Sequence, residues 1–281
     1  MRLLPQSRVK ESARVKTRKR FGQHFLEPVW ADKVVKAIAP APDDVFLEIG
    51  PGRGILTLRL APQVSRLIAI EIDRDLIADL SPKLPSNVSI VPGDVLETDL
   101  RSALASSGES TAVRIAGNLP YNISSAILFK LLELQSKRVV SDANLMLQRE
   151  VADRILAQPG SGDYGVLSVL LQWRADVTRL LSLPAGAFRP PPAVESAVIR
   201  LAFRPPLFPV VDERLLEAMV RGMFTQRRKT LSNALAAFAG EIGVAAGDAL
   251  REARIDAKRR PETLEIVEIA RLADVFATAT R

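Results

Sequence analysis

Short apolar runs alternate along this chain with segments whose apolar residues recur every three or four positions. Between about residues 28 and 204, most runs of strand type are followed by a segment of helix type. The runs that predict strands are 45–49, 67–72, 88–91, 113–116, a run beginning at Asn144, 177–183 and 197–203. Strands and helices that alternate through short connections are typical of a mostly parallel sheet. We therefore predict an α/β fold with a doubly wound sheet.

A proline-rich segment at residues 205–209 ends this alternation and is predicted to be a linker. Before it, helices are predicted from Pro28, after Gly54, and over about 76–84, 124–134 and 165–173. After it, the helical period returns in the segments 215–224, 230–238, 246–254 and 264–276. The predicted regions are a basic arm (1–20), an α/β domain (21–204) and a small all-helical domain (205–281).

The positive charge of the chain is concentrated at its beginning. Residues 1–20 contain eight basic residues and one acid, which accounts for the whole net charge of +7. A basic arm on a body without net charge indicates a polyanionic partner, most simply a nucleic acid. The alternative is a solvated tail that only aids solubility. Two further basic clusters, 227–229 and 258–260, would extend a polyanion-binding track if they face the same way as the arm.

The composition excludes several kinds of site. With no cysteine and one histidine, neither disulfides nor Cys/His zinc sites are expected, and we predict no bound metal. No apolar run approaches the roughly 18 residues of a membrane span, so no membrane association is predicted. The polar, basic N-terminus lacks the apolar core of a secretory signal, and we expect a cytoplasmic protein.

Glycines and acids follow three successive predicted strands. The loop 50–54, Gly-Pro-Gly-Arg-Gly, allows a tight turn and close approach of a ligand. It departs from the dinucleotide motif GxGxxG at Ile55 and lacks the Lys-Ser/Thr ending of a P-loop, so pyrophosphate is not favoured. Glu71 ends the second strand, where a carboxylate can accept ribose hydroxyls, and Asp94 follows the third, where it can accept from an adenine amino group. Together they indicate a pocket for an adenosine without phosphates, such as that of S-adenosylmethionine; a plain turn, a surface acid and a helix N-cap are the alternatives.

The tetrapeptide Asn118-Leu119-Pro120-Tyr121 follows the predicted strand 113–116. In open parallel sheets, ligands bind at the carboxyl ends of strands. An amide that accepts hydrogen bonds, next to a ring that stacks on a flat heterocycle, suits chemistry on the exocyclic amine of a base. A strand-to-helix turn is the alternative interpretation, because four-residue motifs arise by chance.

Seven motifs together give a specific resemblance. They are residues 21–26, 48–52, 71–73, 93–94, 117–124, 188–194 and 226–231, and they run in the same order as in the family. The chain resembles the ribosomal RNA adenine N6-dimethyltransferase family, and its bacterial small-subunit (16S) members most closely. The resemblance spans about residues 18 to 270 and implies a Rossmann-like methyltransferase domain, residues 21–204, that uses S-adenosylmethionine.

The resemblance also implies roles for individual residues. Those matching cofactor positions are Gln23, His24, Leu26, Gly50, Gly52, Glu71, Asp94, Val95 and Asn118. Those matching the target-base site are Asn118, Leu119, Tyr121 and Phe188, with Phe188 expected on the face of the base opposite Tyr121. The predicted RNA-binding residues are Arg18, Lys19, Arg20, Arg227, Arg228 and Lys229. Many relatives carry Asn where this chain has His24, so we interpret His24 as a packing and backbone contact rather than an acid or base.

The function implied is dimethylation of N6 of adenines, two adjacent ones, in a loop of small-subunit ribosomal RNA. We expect the substrate to be an immature small ribosomal subunit, with the protein acting as a monomer and contributing to subunit maturation. One alternative is an RNA-binding assembly factor whose methyltransferase activity is secondary or lost. Another is N6-adenine methylation of DNA, although the relatives with that activity usually carry a second proline where this chain has Leu119.

Overall fold

The computed structural model describes residues 24–105, 112–135 and 139–279. The predicted basic arm, Arg18 to Arg20 within it, and Gln23 lie outside the described residues. The strands are β1 (Phe25–Leu26), β2 (Val45–Ile49), β3 (Arg66–Glu71), β4 (Val88–Pro92), β5 (Val113–Asn118), β6 (Val140–Gln148), β7 (Ala175–Leu183), β8 (Phe188–Arg189) and β9 (Ser196–Phe203). All seven strands predicted from the sequence are present.

Seven of these strands form one sheet in the order β4-β3-β2-β5-β6-β9-β7. The pairs from β4 to β6 are parallel, whereas β9 is antiparallel to both of its neighbours. The predicted doubly wound, mostly parallel sheet is therefore confirmed. The short strands β1 and β8 form a separate antiparallel pair, with Leu26 opposite Phe188 and Phe25 opposite Arg189.

The helices are α1 (Pro28–Ile38), α2 (Thr57–Leu60), α3 (Arg74–Leu80), α4 (Leu100–Ala105), α5 (Ser124–Gln135), α6 (Arg149–Leu156), α7 (Val166–Arg174), α8 (Glu213–Thr225), α9 (Leu231–Ala234), α10 (Ala236–Glu241), α11 (Ala246–Glu252) and α12 (Ile266–Ala279). The single helix predicted over 230–238 is divided by a bend at Leu235. Helix α6 was not predicted, because of its eight residues only Ala152 and Ile155 are buried. None of the helices within the described ranges is long and apolar enough to cross a membrane.

Apolar side chains of the strands pack on both faces of the sheet. In β2, Leu47 and Ile49 belong to one core cluster, which includes Ile127 of α5, whereas Phe46 belongs to a second cluster, which includes Val34 of α1. This period of two follows from the pleat of a strand. Because helices cover both faces, β2 at the centre of the sheet is buried along its whole length, and only its ends are free to form a site.

Strand β6 begins four residues earlier than the predicted start at Asn144. The earlier start could not be predicted from the sequence, because Ser141 and Asp142 interrupt the apolar run. Asp142 is nevertheless buried, since its carboxylate forms ion pairs with Arg114 of β5 at 2.9 Å and with Arg200 of β9 at 2.9 Å. A charge on a central strand is tolerated when it is paired and hydrogen-bonded.

The C-terminal helices share a third core cluster with α7, to which Leu170 and Trp173 contribute. The proline-rich segment predicted as a linker is fixed to the same helix. The Trp173 indole nitrogen donates to the carbonyl of Phe208 at 2.8 Å, and the amide of Leu207 donates to the carbonyl of Trp173 at 3.0 Å. The segment thus anchors the helical region on α7, and the predicted boundary between residues 204 and 205 stays a prediction.

Candidate active site

A cavity of about 530 Å³ opens at the carboxyl ends of four neighbouring strands. Gly50 follows β2, Glu71 ends β3, Asp94 follows β4 and Asn118 ends β5, and all four residues line the cavity. The strand order β4-β3-β2-β5 brings these ends side by side. The residues chosen from four separate sequence motifs therefore meet at one edge of the sheet, where ligands bind in doubly wound folds.

The loop after β2 depends on glycine. Gly50, Gly52 and Gly54 have φ angles of 67°, 58° and 79°, in the left-handed region that other residues rarely adopt. A Cβ on Gly54 would lie 2.3 Å from Leu80 Cδ1, and one on Gly52 would lie 3.2 Å from Phe25 Cε1. The loop is thus wedged between α3 and β1, which leaves its backbone directed at the cavity.

Glu71 ties this loop to the end of β3. Its Oε2 accepts a hydrogen bond from the amide of Gly52 at 3.0 Å, and its Oε1 accepts from the amides of Ile72 and Asp73, both at 2.9 Å. The carboxylate is largely buried yet lines the cavity. Since each carboxylate oxygen has two lone pairs, Glu71 can still accept a hydrogen bond from a ligand hydroxyl.

Asp94 forms a local turn rather than a helix N-cap. Its Oδ1 accepts from the amide of Leu96 at 2.8 Å, but the next helix, α4, begins only at Leu100. Its Oδ2 accepts no hydrogen bond from residues within the described ranges and lies at the cavity. Val95, which is buried, follows it in the lining. The turn therefore uses one oxygen of Asp94 and leaves the other for a ligand.

Glu48 is a site residue to which the sequence analysis assigned no role. It is buried within β2 and lines the cavity, and its Oε2 has no hydrogen-bond partner in the described part of the chain. Burial raises the pKa of Glu48 to about 7, and the charge of the neighbouring Glu71 acts in the same direction. The signal in the sequence was a lone acid inside the otherwise apolar run 45–49.

Asn118 is held by a residue far away in the chain. Its Nδ2 donates to the carbonyl of His24 at 2.8 Å, which leaves Oδ1 as an acceptor that no described residue occupies. The amide of Leu119 donates to the carbonyl of Met146 at 3.1 Å, whereas the carbonyl of Leu119 accepts no hydrogen bond from the described residues. The end of β5 thus presents two oxygen acceptors, on Asn118 and Leu119, to which no described residue donates.

Tyr121 places its ring at the cavity and anchors its hydroxyl. The hydroxyl forms a 2.8 Å hydrogen bond with Ser196 Oγ of β9, and burial raises its pKa. The ring of His24 stacks on the ring of Tyr121, with centroids 5.6 Å apart and planes inclined by 21°. His24 and Leu26 both line the cavity, as predicted, but the aromatic partner of Tyr121 is His24.

Phe188 does not lie where the resemblance implies. Its side chain is fully buried in the core cluster that contains Leu26 and Ala187, and it does not line the cavity. Successive residues of a strand point to opposite sides, so the neighbouring Arg189 lines the cavity in its place. The predicted stacking of Phe188 on a base finds no support in this position.

The predicted basic residues near residue 228 differ in their contacts. Arg227 is held by Glu262 at 2.9 Å and by the carbonyl of Gly162 at 2.5 Å. Arg228 and Lys229 are exposed and form no ion pair within the ranges that the structure describes. The amide of Leu231 donates to the carbonyl of Arg259 at 2.7 Å, which brings the two basic clusters onto adjacent segments.

In the second cluster, Arg259 forms a salt bridge with Glu268 at 2.6 Å, whereas Lys258 and Arg260 are exposed. We call the four exposed cations the basic patch, which consists of Arg228, Lys229, Lys258 and Arg260. The two clusters thus lie on adjacent segments, and one arginine of each, Arg227 and Arg259, is engaged in a salt bridge.

The sheet order, with a glycine loop and two acids at its strand ends, defines a Rossmann-like fold of the methyltransferase type. Residues 14–274 match the family described as ribosomal RNA adenine dimethylase, and the chain belongs to this family. It is 45% identical over 264 residues to Ribosomal RNA small subunit methyltransferase A of Acinetobacter baylyi, covering 92% of each chain.

Two solved structures are similar to this one. The chain is 26% identical to the 23S rRNA methyltransferase ErmE, with a TM-score of 0.64, covering 90% of this chain and 99% of that one. It is 24% identical to a dimethyladenosine transferase from Plasmodium falciparum, with a TM-score of 0.72, covering 89% of this chain and 96% of that one; this likeness concerns the fold. The predicted family and fold are both confirmed.

Proposed function

We propose that this protein transfers methyl groups from S-adenosylmethionine to N6 of adenines in small-subunit ribosomal RNA, producing N6,N6-dimethyladenine. Family membership and the name of the 45% identical relative support the reaction and the substrate. The observation that carries the proposal is the pair of unoccupied acceptors on Asn118 and Leu119, next to Tyr121, at a cavity that also contains Glu71 and Asp94.

The residues at the cavity fit S-adenosylmethionine. Asp94 Oδ2 is an unoccupied acceptor suited to an adenine amino group, and Glu71 retains acceptor capacity for ribose hydroxyls. The glycine loop at Gly50 and Gly52 allows close approach of the remainder of the ligand. When bound, S-adenosylmethionine supplies a methyl group on a positively charged sulfur. Every other part of the chemistry falls to the protein side chains and to the RNA.

The amino group of adenine is a poor nucleophile, because its lone pair is delocalised into the ring. Asn118 Oδ1 and the carbonyl of Leu119 would accept the two N6 hydrogens and favour a pyramidal nitrogen whose lone pair is directed away from the ring. Tyr121 would hold the base by stacking, at about 1–3 kcal/mol. Orientation then provides most of the acceleration. The nitrogen loses one proton for each methyl gained, and this proton is acidic enough to pass to water without a dedicated base.

The RNA would be held by cations outside the cavity. Arg228 and Lys229, with Lys258 and Arg260 beside them, would contact phosphates, and the arm residues Arg18, Lys19 and Arg20 would extend this contact. Binding through such contacts releases counterions and therefore weakens as salt rises. The target adenine must leave its stack to reach the cavity, which costs least in a single-stranded loop.

We further propose that the substrate is an immature small ribosomal subunit and that the protein acts on it as a cytoplasmic monomer. The test is to map dimethyladenosine in ribosomal RNA from cells with and without the gene. We expect the modification, at two adjacent adenines, to disappear with the gene and to return with the intact protein but not with an Asn118→Ala variant. Recovery of subunit maturation, but not methylation, by that variant would favour the assembly-factor alternative.

A further inference from the structure

The imidazole of His24 stacks on the Tyr121 ring. The two ring centroids lie 5.6 Å apart, and the planes are inclined by 21°. Inserting a base between two parallel rings requires two van der Waals separations, about 7 Å in total. A base therefore cannot lie between Tyr121 and the imidazole while the imidazole stays in its present position.

His24 also contacts Asn118. The carbonyl of His24 accepts the Asn118 amide hydrogen bond at 2.8 Å, while the ring of His24 stacks on Tyr121. His24 thus contacts both groups that a target adenine has to reach. An adenine that stacked on Tyr121 on the side of His24 would have to displace its ring.

The ring of His24 can move without its main chain. Its Nδ1 lies 2.8 Å from the carbonyl of Pro190 and must donate there, because a carbonyl oxygen only accepts. The main chain is held separately, through the Asn118 hydrogen bond and through the pairing of β1 with β8, where the amide of Glu27 also donates to the carbonyl of Ala187 at 2.8 Å. Rotation about the Cα–Cβ bond would expose Tyr121 and leave the orientation of Asn118 unchanged.

We propose that the His24 side chain is a place-holder for the target base, which covers Tyr121 in the free enzyme and is displaced when adenine binds. His24 is thus a positioning residue, whose ring controls whether a base can reach Tyr121. The inference rests on the proposed function, because it takes Asn118 and Tyr121 as the target-base site. A base must compete with the imidazole. Its apparent affinity therefore equals the intrinsic affinity multiplied by the fraction of enzyme in which Tyr121 is uncovered.

Substitutions at residue 24 would change this competition in opposite directions. His24→Ala removes the competitor and should lower the KM for ribosomal RNA by about two- to tenfold, the range expected for one aromatic pair. His24→Phe strengthens the stack and should raise that KM by a similar factor. The KM for RNA is measured at saturating S-adenosylmethionine, so that a changed contact of residue 24 with the cofactor does not enter it. If the side chain had only a structural role, both variants would lose activity and neither would bind RNA more tightly. That result would overturn the proposal.

Nuclear magnetic resonance tests displacement directly, because the chain has a single histidine and its ring protons give isolated signals. In full-length protein with S-adenosylhomocysteine, these signals should carry the ring-current shift of Tyr121, with Tyr121→Leu as the reference lacking it. Saturating adenosine should move them to the reference position. Signals of Tyr121 that respond to adenosine while those of His24 stay fixed would refute the place-holder alone. If adenosine changes neither residue, the target-base assignment in the proposed function fails as well.

Discussion

The cavity has two halves that are built in different ways. The cofactor half, formed by Gly50, Gly52, Glu71 and Asp94, is held by contacts between adjacent strand ends, and the Glu71–Gly52 bond spans 19 residues of sequence. In the base half, formed by His24, Asn118 and Tyr121, the Asn118–His24 bond spans 94 residues and the Tyr121–Ser196 bond spans 75. The parallel sheet orders the strand ends of the first half, and Phe25 of β1 adds a packing contact near Gly52. The second forms only when β1 and β9 are in place.

This difference predicts that the two halves can be disabled separately. Because the base half contains the proposed acceptors for N6, changes at Asn118 should reduce methyl transfer far more than cofactor binding. Changes in the glycine loop should affect cofactor binding first.

Asn118→Ala removes the side-chain acceptor for N6 and should lower kcat by about 100- to 1,000-fold, the usual loss for one preorganised polar group at a reacting centre. The dissociation constant of S-adenosylmethionine, measured by calorimetry, should change little. Asn233→Ala, at an exposed asparagine of α9, is the matched control and should retain full activity. Equal losses of cofactor binding and methyl transfer in the Asn118 variant would contradict the functional separation of the two halves.

Glu48→Gln tests the buried carboxyl of the cofactor half. The pKa of Glu48 is about 7 in the folded protein, above its ordinary value of 4.5, so its contribution to stability is present below pH 4.5 and is lost as pH rises through 7. The Gln variant has no titrating carboxyl at this position, so it does not lose stability in this way as pH rises. Its free energy of unfolding relative to the natural protein should therefore rise by about 3 kcal/mol between pH 4.5 and pH 8.

Denaturant unfolding of both proteins across this pH range measures that difference. Glu97→Gln, at an exposed acid, is the control and should run parallel to the natural protein. A Glu48→Gln difference that does not vary with pH would show that Glu48 is already ionised in the fold.

Gly54→Ala should destabilise the protein by about 2 kcal/mol, because alanine resists a φ of 79° and its Cβ would lie 2.3 Å from a methyl group of Leu80. The dissociation constant for S-adenosylmethionine should rise as the loop shifts. Gly247→Ala, where a Cβ meets nothing within 4 Å, is the matched control. A loss of methyl transfer with unchanged cofactor affinity would contradict the assignment of this loop to the cofactor half.

Arg228→Ala combined with Lys229→Ala removes two exposed cations of the basic patch. The slope of log K for RNA binding against log salt should become shallower by about 1.4, or 0.7 for each lost contact with a single strand. Arg227→Ala should instead lower stability and leave the slope unchanged, since Arg227 is already paired with Glu262. An equal change of slope in Arg227→Ala and in the double variant would show that Arg227 also contacts RNA phosphates.

The cofactor half could be predicted from the sequence because each of its residues follows a recognisable strand. The runs 45–49, 67–72 and 88–91 fixed where Gly50, Glu71 and Asp94 would meet, once a parallel sheet was inferred. Glu48 was assigned no role, although its position as the lone acid of the apolar run 45–49 was a signal; its complete burial emerges only from the packed sheet.

The base half could be predicted only in part. The position of Asn118 and Tyr121 at a strand end was recognisable, but the contact of Tyr121 with His24 depends on how β1 pairs with β8. The same pairing decides that Arg189 rather than Phe188 faces the cavity. A two-residue strand has too few positions for its inward and outward faces to be read from sequence.

The central claim is that this cavity methylates N6 of adenine in small-subunit ribosomal RNA. The most direct measurement incubates the purified protein with immature small ribosomal subunits and S-adenosylmethionine labelled in its methyl group, followed by nucleoside analysis of the RNA. We predict that the label is recovered as N6,N6-dimethyladenosine and that it is absent with the Asn118→Ala variant. No label in adenine, from a folded protein that binds the cofactor, would contradict the claim.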